Sequence, residues 1–68
     1  MEIRTTLPEA DIEQILAVVR AQTDEPIRSL VDGELGPEVK TGRLYGYTWL
    51  VRRAPSSWKV LFKHEWAS

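Results

Sequence analysis

The stretch RLYGYTWLVRRAPSSWKVLFKHEW, residues 43–66, decides the fold. In its first half Tyr45, Tyr47, Trp49 and Val51 occupy alternate positions, which an extended chain turns to one side. Ala54-Pro55-Ser56-Ser57 is a turn cluster, and Trp58 to Trp66 reads as a second strand. Counting from a loop flanked by Arg53 and Trp58 sets Val51 opposite Val60, Trp49 opposite Phe62, Tyr47 opposite His64 and Tyr45 opposite Trp66. These side chains then share one face, each in a favourable cross-strand pair. The other face holds Arg52 with Lys59, Leu50 with Leu61, Thr48 with Lys63 and Gly46 with Glu65. A slip by one residue breaks the match, so the pattern predicts this register.

Upstream the period changes. Ile12, Ile15, Leu16 and Val19 follow the spacing of one helix face, predicting a helix from Pro8 to Gln22. Thr6 and Glu9 fit a capping box, and Pro8 suits a first turn. Pro26 biases Glu25 away from helical geometry and ends the element. Ile27 to Val31 reads as a strand closed by an Asp32-Gly33 turn. Glu38 to Gly42 is strand-like, either running on through a bulge at Gly42 or turned there as a separate strand. Met1 to Thr5 can add a short edge strand through Ile3. The expected fold is a single α+β domain over residues 1–68, with one N-terminal helix packed on a three- or four-stranded antiparallel meander.

That arrangement leaves an excess. A helix with its side chains is about 10–12 Å across, whereas four strands at about 4.8 Å spacing present a face nearly twice as wide. One apolar stripe cannot cover Tyr45, Tyr47, Trp49, Val51, Val60, Phe62 and Trp66 together. The sequence therefore predicts a partner surface at Tyr45, Tyr47, Trp49, Phe62, His64 and Trp66, with Trp49 and Phe62 as anchors. A homodimer or another protein is the expected partner. Small domains without a large core compensate by disulfides, metals or association, and the chain has no cysteine and one histidine.

Charge is divided along the chain. Residues 1–34 carry three basic and eight acidic side chains, and residues 35–68 carry six basic and two acidic ones. Arg52, Arg53, Lys59 and Lys63 are expected as a basic patch at the tip and outer face of the last hairpin. In the predicted register cations and rings point to opposite faces, which weighs against nucleic acid, because single-strand binders combine the two in one groove. His64 is the only imidazole, and in this register Glu65 points away from it, so no acid–base pair is expected. Ser56 and Ser57 read as turn residues, and DGELG at 32–36 lacks the spacing of a phosphate loop. No apolar run is long enough for a membrane helix and the N-terminus has no signal-peptide pattern, which makes a cytoplasmic protein the expectation.

Three short motifs carry a resemblance. Ser57-Trp58-Lys59-Val60 reads turn–Trp–x–Val, as a late strand often does in nuclear-transport-factor-2-like and cystatin-like folds. The VKTGR segment at 39–43 and the terminal Trp66-Ala67-Ser68 resemble small bacterial proteins of unassigned function. The likeness covers residues 38–68 and implies a curved sheet wrapped on a helix, frequently dimeric. The expected function is thus protein association through an aromatic sheet face, without catalysis, metal or cofactor. One alternative is a small-molecule pocket or minimal enzyme between helix and sheet, using His64 and the tyrosine hydroxyls. A second is a single-stranded nucleic-acid-binding module.

Overall fold

A computed structural model of the chain describes residues 1–42 and 45–67. In chain order it forms β1 (Glu2–Arg4), α1 (Glu9–Arg20), β2 (Ile27–Gly33), β3 (Gly36–Thr41), β4 (Tyr45–Arg53) and β5 (Trp58–Ala67). The strands make one sheet in the order β1-β2-β3-β4-β5. This corrects the expected antiparallel meander of three or four strands. The segment around Ile3 is a true strand, and it pairs parallel to β2, with Ile3 beside Leu30. The helix between them carries the chain back along the sheet, so β1 and β2 start from the same end.

Thr6 does not cap the helix. Pro8 occupies the cap position in extended geometry, and no side chain bonds there, which leaves Thr6 outside the first turn. The Pro8 carbonyl accepts instead from the N–H groups of Asp11 and Ile12, at 3.0 and 3.1 Å. Thr5 ties this corner down. Its hydroxyl donates to the Asp32 carboxylate at 2.7 Å and accepts from the Leu7 N–H at 3.3 Å.

The first hairpin turns through Glu34-Leu35, with Gly33 opposite Gly36. Gly36 has a φ of 132°, which explains the Leu35-Gly36-Pro37 breaker. Pro37 precedes the β3–β4 ladder, which begins at Glu38, so its missing N–H costs that ladder nothing. Of the two readings of Gly42, the structure takes the separate strand. Gly42 leaves β3 with a φ of 83° and donates its N–H to the Pro26 carbonyl at 3.2 Å.

In the last hairpin the tip keeps the expected register, with Arg53 opposite Trp58, Arg52 opposite Lys59 and Val51 opposite Val60. Then β5 bulges at Leu61, and every pair beyond it moves by one. Leu50 faces Phe62, Trp49 faces Lys63, Thr48 faces His64, Tyr47 faces Glu65, Gly46 faces Trp66 and Tyr45 faces Ala67. One inserted residue reverses the side to which all later side chains point. The expected single aromatic row is therefore split: Tyr47 and Trp49 lie on the helix side, and Phe62, His64 and Trp66 on the other. The side chain of Tyr45 lies outside what is described.

The split removes the excess that one helix could not cover. Ile15 and Val19 of α1 pack with Leu30, Val39, Trp49, Val51 and Trp58 of the sheet, all buried. Leu7, Ile12, Val18, Ile27, Tyr47 and Val60 surround them. Trp49 is 1% exposed, so this expected partner anchor is protomer core.

Candidate functional site: the open sheet face and its free edge

One side of the sheet carries the helix, and among the described residues no helix packs on the other. Two cross-strand rows define that open face. Glu2, Ser29, Lys40, Thr48 and His64 form one, and Arg4, Val31, Glu38, Leu50 and Phe62 the next. Arg52 and Lys59 stand together at one end, and Trp66 lies beside Gly46 at the other. β2 bulges between Ile27 and Ser29, and the Arg28 guanidinium sits 5.2 Å from the centre of the Trp66 ring. Phe62 is 46% exposed.

A Cβ built at Gly46 would overlap the Thr41 carbonyl oxygen and meet the Trp66 ring at 3.1 Å. Glycine here lets β4 approach the end of β3, while the indole of Trp66 covers the bare backbone. Thr41 is fully buried, and its hydroxyl accepts from the Tyr47 N–H at 3.3 Å.

The expected basic patch also divides. Arg52 and Lys59 face outward on the open side. Arg53 turns to the helix side, forms an ion pair with Asp11, and lies 4.8 Å from the centre of the Trp58 ring. Trp58 donates its indole N–H to the same carboxylate at 3.4 Å. Lys63 projects over Tyr47 and Trp49, 5.1 and 5.2 Å from their ring centres, and those two rings meet at 5.7 Å. Lys63 changes side because the Leu61 bulge shifts its parity, whereas Arg53 alternates with Val51 and stands on the helix side in either register. The rings and the Asp11 carboxylate there give both cations partners.

The hydrogen bond from Arg53 holds the Asp11 carboxyl below the ordinary carboxylate range, against the opposing effect of desolvation. The Trp58 N–H and the Arg53 charge act in the same direction as that bond. A lowered folded value means that the contribution is complete above the unfolded value, about 3.9, and is lost as pH falls through the folded one. The Asp11 carboxyl, followed by NMR, should titrate below about 3.9 in the parent and return toward it in Arg53→Gln. A parent midpoint at the ordinary value would dissolve this cluster.

His64 faces Thr48 rather than Tyr47, and its side chain is exposed. Among the described residues no group of three or more His, Asp or Glu side chains could hold a metal ion. No helix among them is long and apolar enough to cross a membrane. The sequence reading missed Arg4, Arg28 and Lys40 as neighbours of Trp66. Parity would have joined Lys40 to Thr48, but only the Leu61 bulge brings His64 and Trp66 to that side.

The outer edge of the sheet is equally defined. Among the described residues β5 runs ten residues and pairs with β4 alone, so its other side is a free edge, whereas the opposite edge strand β1 has three residues. No family model, curated protein or solved structure matches the chain.

Proposed function

We propose that the chain is a self-associating module in which two copies join through β5, edge to edge and antiparallel. The carrying observation is the pattern Phe62-Lys63-His64-Glu65-Trp66, which is complementary to itself about His64. In that register Phe62 meets the second copy's Trp66, and Lys63 meets its Glu65. The sides agree as well. Phe62 and Trp66 both point to the open face, and Lys63 and Glu65 both to the helix side. The Phe62–Trp66 and Lys63–Glu65 contacts each occur twice, and His64 meets its own copy on the axis, as a two-fold interface requires. Each aromatic or opposite-charge pair contributes about 0.2–1 kcal/mol, in addition to new backbone hydrogen bonds.

Association thus moves from the sheet face, where the sequence placed it, to the sheet edge. Joining copies through the open faces would set Arg52 and Lys59 of one against cations of the other, which is unfavourable. The edge meets no such repulsion. It also shelters backbone groups that natural sheets seldom leave free over ten residues.

Light scattering at micromolar concentration should give twice the 7.8 kDa mass of one chain. Glu65→Lys should shift the parent toward monomer, because both ion pairs become repulsions. Adding Lys63→Glu to it should restore the dimer with the charges exchanged. A parent monomer, or a Glu65→Lys dimer as tight as the parent, would refute the edge pairing.

A further inference from the structure

The open face carries Arg4, Arg28, Lys40, Arg52 and Lys59 against the carboxylates of Glu2 and Glu38. The helix and the loop after it carry Glu9, Asp11, Glu13, Asp24 and Glu25 against Arg20. The chain's net charge of −1 therefore conceals one acidic layer and one basic face. The rings of Phe62 and Trp66 lie among those cations, brought there by the Leu61 bulge. From this juxtaposition of cations and rings we infer that the open face binds single-stranded nucleic acid.

Each part of the ligand has a counterpart. Phosphates suit Lys40, Arg52 and Lys59, whose side chains are exposed. Phe62 offers an exposed ring on which a base can stack, and stacking tolerates any base because each has a π-face. Phe62 and Trp66 are four residues apart on one strand, roughly 13 Å, which separates two stacking positions along a backbone track. A basin of about 400 Å³ lies beside Trp66, lined also by Arg4, Arg28, Lys40, Ser29, Thr48 and the Glu2 carboxylate that pairs with Arg4. The Trp66 indole N–H is buried and has no partner among the described residues.

An acidic peptide would engage the cations but has no planar group for the rings. A duplex would present phosphates but keep its bases stacked away from Phe62. The face is complete in one chain, so the inference does not rest on the edge-to-edge dimer.

The test is fluorescence anisotropy on the full chain at low salt, with labelled oligouridine and oligothymidine of about 12 nucleotides, within the usual range of site sizes. Binding should weaken with added salt at a log–log slope of about −2 to −3, as three or four phosphate contacts give at about 0.7 each. Phe62→Ala should weaken it about fivefold or more, as the loss of one stacked base does. Lys40→Glu and Arg52→Glu should each weaken binding and flatten the slope. Phe62→Leu, which keeps bulk without a ring, replaces Phe62→Ala if circular dichroism shows that variant unfolded. Absence of binding to both oligonucleotides would overturn the inference. So would equal affinity for a duplex, unchanged affinity in the Phe62 variant, or displacement by polyglutamate at matched charge. Binding by the parent but not by the monomeric Glu65→Lys variant would tie the site to the dimer and overturn the claim that one chain suffices.

Discussion

Trp49→Ala should remove from about a third to all of this chain's stability, lowering its cooperative thermal transition steeply or abolishing it. Domains of this size have net stabilities of about 0.05–0.15 kcal/mol per residue, or roughly 3–10 kcal/mol in total. Cutting a buried tryptophan back to alanine costs about 3–5 kcal/mol, through lost transfer energy and the cavity left behind. Trp49 is nearly fully buried between Ile15, Val19, Val39 and Val51, and it also supports the Tyr47 ring and the Lys63 stem. Little around it can collapse inward, because the helix is held at its other end by the contact of Asp11 with Arg53 and Trp58. Circular dichroism over a temperature ramp measures this directly. A Trp49→Ala protein that melts as the parent does would show that the ring does not organise the core.

Gly46→Ala should cost about 1–3 kcal/mol, the usual range for a group forced into occupied space, and more if β4 cannot shift. The obstacle is backbone rather than a flexible side chain, since the added methyl would meet the Thr41 carbonyl. Relief requires β4 to move away from the end of β3, which breaks the bond from the Tyr47 N–H to the Thr41 hydroxyl. At about 4–8 °C per kcal/mol, the melting temperature should fall by roughly 4–24 °C. The atoms nearest an alanine at Gly33 belong to the flexible Glu38 side chain, which can swing aside, so Gly33→Ala should fall much less. Equal melting temperatures for the two alanine variants would remove the special standing of Gly46.

These two sites mark the limits of what the sequence disclosed. The helix stripe was readable because Ile15, Leu16 and Val19 recur at helical spacing and are buried as that spacing implies. The hairpin tip was readable too, because Ala54-Pro55-Ser56-Ser57 has turn chemistry and the Val51–Val60 pair follows by counting. The bulge was not. Val60-Leu61-Phe62 is an apolar run in which any member could face either side, so alternation gives no warning there. Beyond it, Lys63, His64 and Glu65 tolerate water on either face and do not choose between the two parities. The bare backbone at Gly46, which Trp66 covers, and the Tyr47 and Trp49 rings beneath Lys63 both favour the shifted register. β1 was readable as a strand but not in direction, since three residues have no usable period and the crossover depends on the helix. The surface reading suffered most. Its premise that rings and cations lie apart rested on the unbulged register.

The difference in length between the two margins of the sheet has a consequence for growth. A protein that offered a good template at both margins could add copies without end and form fibres. Here the far margin is β1, a three-residue stub whose Glu2 and Arg4 are ion-paired along one face at 2.8 Å. In the proposed pair the long margin is consumed, so an incoming molecule would meet that stub and growth would halt at two.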